Sequence, residues 1–427
     1  MTRVQLHELA SRARSKYPSG ITSVCSAHPI VLRAAIRFGK ANNNTILIES
    51  TCNQVNHLGG YTGMKPADFA GLVYEIAVEE ECPHELIILG GDHLGPNPWR
   101  HKSADEAMAE AENMVRAYVA AGFRKIHLDA SMGCLGESIA LDDETTAKRA
   151  AQLTKVAEEV ARQSSDPVLV YIIGTEVPTP GGADHVLSDI EPTSADAARK
   201  TLVIHRRVFQ EAGLSDAFSR AIALVVQPGV EFGNHNVIQY DRSKTRGLIN
   251  LLKEEPQFVF EAHSTDYQGT QMLRELVEDG FSILKVGPEL TFVMREALYA
   301  LDHIATTVVE NYGERALFRT MESAMLKESG NWNRHYTGSL HEQMLLRHFS
   351  LSDRMRYYWA APDVVMAVKR LFDTLRGVSI PRPLMSQYLP SALSLAHQQV
   401  DPEDLVISHV TRTISAYHTA CVPVTEK

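Results

Sequence analysis

The chain opens with apolar residues at Val4, Leu6, Leu9 and Ala10 among polar and basic ones, a spacing that predicts a short surface helix over 2–16. A rhythm then begins. Short apolar runs at 21–27, 45–50, 86–89, 125–131, 168–176, 221–227, 258–264 and 283–287 read as buried strands. The stretches between them carry helix signals. Pro29 and Pro66 stand in first turns, and Ser103 with Glu106 forms a capping box. Helices are predicted over 28–39, 66–80, 103–121, 143–163, 194–212 and 289–303. Each strand is followed by a helical segment, and no two strands are expected to join as a hairpin.

Strict alternation of β and α predicts a parallel sheet, and eight units are enough to close a (β/α)8 barrel. An open doubly wound sheet would favour a Gly-rich dinucleotide loop after the first strand, and Ser26-Ala-His-Pro-Ile30 is not one. Past Tyr312 the strand rhythm stops and the pattern is mainly helical. The expected organisation is a barrel with a short N-terminal helix over 1–312 and a helical extension packed on it over 313–427.

Bulk properties agree with that reading. A chain of 427 residues is long for one ordinary domain but suits a large barrel with an extension. A net charge of −10 argues against a nucleic-acid surface. The five cysteines form no CxxC pair and their number is odd, which predicts reduced thiols in a cytoplasmic protein. The first residues lack the apolar region of a signal peptide, and no apolar run approaches the length of a membrane span.

Barrel chemistry collects at the C-terminal ends of the strands. Those ends carry Cys25, His28, Glu49, Asp92, His93, Asp129, Glu176, Gln227, His263, Asp266 and Lys285. Two histidines and a carboxylate with an open position suit a divalent cation acting as Lewis acid. His127 alternates with Asp129, so the two share a face. Singly, each residue has a structural reading: Asp92 and Asp129 as turn caps, His263 as a core histidine bonded to a carbonyl. Lys285 suits a Schiff base, a phosphate ligand or a partner for a strand-end carboxylate. There is no GxxxxGK[ST] loop and no GxSxG elbow, so neither P-loop phosphoryl transfer nor an α/β-hydrolase triad is supported.

Several long segments carry a resemblance. They are Ser23-Val-Cys-Ser-Ala-His-Pro29, Asn53-Gln-Val-Asn56, Gly59-Gly-Tyr-Thr-Gly-Met64, Gly90-Gly-Asp-His-Leu-Gly-Pro-Asn97 and Lys125-Ile-His-Leu-Asp-Ala-Ser131. Further along stand Ile173-Gly-Thr-Glu-Val-Pro178, Val226-Gln-Pro-Gly-Val-Glu-Phe232, Glu261-Ala-His-Ser-Thr-Asp-Tyr-Gln268, Leu284-Lys-Val-Gly-Pro288 and Leu351-Ser-Asp-Arg-Met-Arg-Tyr-Tyr-Trp359. Together they resemble the non-catalytic subunit of class II tagatose-1,6-bisphosphate aldolase over nearly the whole chain. Members of that family have been labelled kinase, aldolase subunit and tagatose 6-phosphate 4-epimerase. The resemblance implies a TIM barrel.

A more distant likeness is to the zinc-dependent class II aldolases. It implies Asp92 as acid/base, His93 and His263 as metal ligands, and Asp129 as a site carboxylate. The sixth strand departs from their pattern, so Gln227 or Glu176 must complete a metal site. Their eighth-strand phosphate motif is replaced by Gly287-Pro288-Glu289.

The activity implied is metal-dependent 4-epimerisation between D-tagatose 6-phosphate and D-fructose 6-phosphate by retro-aldol chemistry. The metal is expected to be Zn²⁺, with Mn²⁺, Ni²⁺ or Co²⁺ as alternatives. Asp92 is the first base, with Asp129, Glu176 or Asp266 serving the other face. Arg354 and Tyr357 are expected at the phosphate, with Ser264, Thr265 and Lys285 as further substrate contacts. The alternative reading is a stabilising partner of a separate class II aldolase subunit.

Overall fold

A computed structural model of the chain describes residues 3–163, 168–174 and 190–423. Eight parallel strands close into a barrel. They are β1 Ile21–Cys25, β2 Ile46–Thr51, β3 Ile87–Leu94, β4 Lys125–Leu128, β5 Val170–Ile173, β6 Ala221–Val225, β7 Val259–Ala262 and β8 Phe281–Val286. Each pairs with its sequence neighbours, and β1 pairs with β8 to complete the ring. Helices α1 Pro29–Asn42, α2 Pro66–Glu79, α3 Ala104–Ala120, α4 Asp143–Ala161, α5 Ala195–Glu211, α6 Arg246–Glu254, α7 Thr270–Glu278 and α8 Pro288–Val308 follow the strands. The expected (β/α)8 barrel is therefore the observed one. One expectation is corrected: a two-stranded antiparallel hairpin, Glu231–Phe232 with Val237–Ile238, sits in the connection after β6. Its strands are too short for alternation to be visible in sequence.

Inside the barrel the floor is apolar. Ile21, Leu47, Ile172, Val225, Val259 and Ile283 pack there, and Leu6 and Leu9 of the N-terminal segment close it from below. Above the floor the interior turns polar, with Ser23, Glu49, Lys125, Glu261 and Lys285 all buried. Register explains the layer. Glu49 lies opposite Gly90, Gly90 opposite Lys125, and Ser23 opposite Lys285. A Cβ on Gly90 would stand 2.7 Å from Cγ of Glu49, so glycine there makes room for the carboxylate.

The chain beyond α8 forms α9 Ala316–Lys327, α10 Leu340–Phe349, α11 Pro362–Leu375, α12 Arg382–Tyr388 and α13 Pro402–Cys421. α13 packs on α1, α7 and α8, and its Tyr417 is buried against the barrel loops. Among the described residues no helix is long and apolar enough to cross a membrane.

Candidate active site

β3 runs further than its apolar run predicts, to Leu94, and carries Asp92 and His93 inside its last turn of backbone. The register with β4 slips between Gly91 and Leu94, and His93 adopts φ 52°. A non-glycine residue in that region is costly, and such conformations persist where the surroundings enforce them. Ser264, beyond β7, shows the same feature at φ 52°.

Around this strand end, Asp92, His93, His127 and His263 bring their ligand atoms within 4.8 Å of one another, all buried. Nδ1 of His93 donates to Oδ2 of Asp129 at 2.9 Å, and Nε2 of His263 donates to Oε1 of Glu261 at 3.0 Å. Each ring thus spends its proton on a carboxylate, and the remaining nitrogens, Nε2 of His93 and Nδ1 of His263, face each other at 3.1 Å. Two lone pairs cannot be stable so close, so a proton or a cation must lie between them. A histidine whose far nitrogen donates to a carboxylate is the usual posture of a metal ligand. The donor set therefore fits a divalent metal. Without one, His93 takes the proton. Burial disfavours that charge, but Asp92 and Asp129 outweigh it and raise the pKa of His93. Burial pushes His263 down to about 4.

Asp92 is engaged by two side chains at contact distance. Its Oδ1 lies 2.8 Å from Nδ1 of His127 and 3.0 Å from Nζ of Lys285. Burial alone would raise its pKa, but His93, Lys285 and His127 outweigh burial and hold it well below the carboxylate range. Asp92 is therefore held as a carboxylate in a buried position at the cavity wall. Lys285 also meets Oε2 of Glu49 at 2.7 Å. Burial opposes its charge, but Asp92, Cys25, Glu49 and Glu261 prevail and lift its pKa well above the usual value. An ammonium held this firmly is a poor Schiff-base nucleophile. Of the three readings of Lys285, pairing with strand-end carboxylates is the observed arrangement. Beneath it, Lys125 bridges Glu49 at 2.8 Å and Glu261 at 2.7 Å.

A cavity of about 560 Å³ opens above these groups. Asp92, His93, His263, Ser264, Asp266, Lys285 and Tyr357 line it, so the structure gathers seven of the predicted residues on one wall system. Others stand elsewhere. Asp129 lies behind His93, bonded to its ring and tied also to Ser131 at 2.9 Å. Gln227 is turned away, because its Oε1 accepts the N–H groups of Gly229 and Val230 in its own turn. Thr265 is fully buried, and its hydroxyl donates to the carbonyl of Lys285 at 2.6 Å, so it closes the loop and does not reach the mouth. Arg354 donates to the carbonyl of Asn331 at 2.8 Å and does not line the cavity. Its expected α-helix is a 3-10 helix, Arg354–Tyr357, entered through Asp353 at φ 44°, and the tighter turn presents Arg356 instead. Glu176 lies outside the described residues.

Glu261 and Lys125 were not foreseen. Period-two spacing could have found them, since Glu261 shares the strand face of His263 and Lys125 that of His127.

The fold and this site define a (β/α)8 barrel with an ionised carboxylate beside a paired-histidine centre at its mouth, the layout of an enzyme. The chain belongs to the GatZ/KbaZ-like family, described as D-tagatose-1,6-bisphosphate aldolase subunit GatZ/KbaZ-like, which matches residues 6–422. It is 56% identical over 415 residues to a protein of Agrobacterium fabrum (strain C58) named D-tagatose 6-phosphate 4-epimerase, covering 97% of this chain and 98% of that one. It also resembles a crystal structure from Sinorhizobium meliloti 1021, described as "a probable tagatose 6 phosphate kinase". The TM-score is 0.87 at 50% identity, covering 94% of this chain and 100% of that one.

Proposed function

We propose that this chain is a D-tagatose 6-phosphate 4-epimerase whose product is D-fructose 6-phosphate. The observation that carries the reading is Asp92, held as a carboxylate next to two imidazole nitrogens at the wall of the cavity. The name of the Agrobacterium relative supports the same substrate. Inverting C4 of the tagatose skeleton gives the fructose skeleton, so the product follows from the reaction.

The C4 hydrogen of a 2-ketose is not acidic, because the carbonyl lies two bonds away. A retro-aldol route avoids that problem. Asp92 takes the proton of the C4 hydroxyl, the C3–C4 bond breaks, and its electrons pass into the C1–C3 fragment as an enediolate. The C4–C6 fragment becomes glyceraldehyde 3-phosphate. It turns its other carbonyl face, re-forms the bond, and receives the proton on its new hydroxyl. A second acid/base must serve that face. Asp266 lines the cavity, and burial raises its pKa to about 6, where it exchanges protons readily.

His93 and His263 would hold a divalent metal, with Asp92 beside them; nitrogen and carboxylate donors suit Zn²⁺ first, then Mn²⁺, Co²⁺ or Ni²⁺. Such a cation would act as a Lewis acid on the oxyanion that develops when the bond breaks. Asp129 and Glu261 orient the two rings, and Lys285 keeps Asp92 ionised. Incubation of the protein with tagatose 6-phosphate and each metal should yield fructose 6-phosphate. Its failure to form with every metal would sink the reading.

A second reading has support in the family description, which names an aldolase subunit. Leu340 and Phe349 of α10 and Met366 of α11 are exposed apolar side chains. Co-purification with a class II aldolase chain, lost on Leu340→Ser with Phe349→Ser, would favour it.

A further inference from the structure

We propose that Arg356, carried by the C-terminal extension, is the anchor for the substrate's phosphate, with Tyr61 and Tyr357 as neutral donors beside it. The proposal rests on the sugar-phosphate reading above and adds the residue that recognises the anion.

Two Lys or Arg side chains line the cavity among the described residues, Lys285 and Arg356. Lys285 is already committed to Glu49 and Asp92. Arg356 is different, because no carboxylate lies within ion-pair reach of it among the described residues. Its Nη1 donates to the carbonyls of Ser352 at 2.5 Å and Asp353 at 3.1 Å. Its Nη2 donates to the hydroxyl of Tyr357 at 2.9 Å, and the guanidinium stacks on that ring at 4.5 Å. A guanidinium has five N–H groups. These bonds use three, so the Nε–H and one Nη2–H remain, on a side chain that faces the cavity.

Asp353 acts on this half-buried cation only from beyond ion-pair distance, and a phosphate dianion at contact would stabilise it further. The carbonyls and the ring fix the plane of the guanidinium, so little freedom is lost on binding. Tyr61 lies edge-on to Tyr357 with centroids 4.7 Å apart and lines the same wall. A phenol is un-ionised near neutral pH, so Tyr61 offers its hydroxyl as a donor. With the phosphate held at Arg356, C6 of the ketose lies towards the extension and its reacting carbons towards β3.

The test is calorimetric binding of tagatose 6-phosphate, glycerol 3-phosphate and free tagatose to the metal-loaded protein. Arg356→Gln should weaken both phosphates by on the order of 30- to 100-fold while free tagatose changes by less than about threefold, as expected for lost charge-assisted bonds. Arg356→Lys should fall between, since it keeps charge without the fork. Should Arg356→Gln misfold, Tyr61→Phe and Arg356→Lys must still weaken the phosphates selectively. Equal weakening of phosphorylated and free sugar would overturn the anchor, and so would a phosphate-selective loss in Arg354→Ala. Selective binding without turnover would reject the epimerase reading and keep the anchor. Turnover without selective loss would do the reverse.

Discussion

Glu261 and His263 stand two residues apart on and just beyond β7, and Oε1 of Glu261 takes the Nε2–H of His263 at 3.0 Å. That bond turns Nδ1 of His263 towards Nε2 of His93. The same carboxylate forms an ion pair with Lys125 at 2.7 Å through its other oxygen. One glutamate thus joins the buried charge layer of the barrel to the paired-histidine centre.

Glu261→Gln should weaken Zn²⁺ binding by about 10- to 100-fold, the usual effect of losing the group behind a ligating histidine. It also leaves Lys125 with one carboxylate, so stability should fall by about 3 kcal/mol. Chelator competition measures the first effect and urea unfolding the second. Unchanged metal affinity would mean that the two rings do not hold the ion.

Asp92→Asn keeps the shape of the side chain and removes the base. We expect kcat to fall by about 10²–10⁴-fold with a small change in KM. Lys285 loses one anionic partner and keeps Glu49 at 2.7 Å. A variant with near-normal kcat would assign the proton to another group.

The retro-aldol route leaves the C4 hydrogen in place throughout. Turnover in D₂O should therefore give fructose 6-phosphate with no deuterium at C4, read by NMR. Labelled glyceraldehyde 3-phosphate should enter the product pool if the fragment exchanges. Deuterium at C4 would favour direct deprotonation and reject the bond-cleavage route.

Stability should depend on pH through Glu289. Burial, then the charge of Asp266, raises its pKa from the ordinary 4.5 to about 8. The folded chain therefore binds more protons at this site than the unfolded chain. The stabilisation is complete below pH 4.5 and is lost as pH rises through about 8. Glu289→Gln can keep the bond from the Tyr267 N–H, 2.7 Å in the native protein. It should leave Tm unchanged at pH 4 and raise stability at pH 9 by on the order of 2–4 kcal/mol. Parallel pH profiles for the two proteins would show that Glu289 ionises normally.

Much of this was legible in the sequence because it is local. Alternating short apolar runs and capped helices specify a parallel closed sheet, and strand polarity puts the ends of all eight strands at one mouth. Asp92, His93 and His263 could be named in advance for that reason. Their partners were partly readable too, since a strand repeats every two residues and Lys125, His127, Glu261 and His263 obey that period.

Tertiary structure decided the rest. Gln227 has the composition of a ligand but spends its amide oxygen on the N–H groups of its own turn, a choice that spacing does not encode. Asp129 sits behind the ring of His93 and does not line the cavity. Arg354 and Arg356 are two residues apart and alike in chemistry. The left-handed backbone of Asp353 and the 3-10 turn after it send one to Asn331 and the other to the cavity. A sequence states which groups are present and which share a face of a regular element. Which of them meet across loops and extensions depends on backbone turns of a few residues, and those are set by packing.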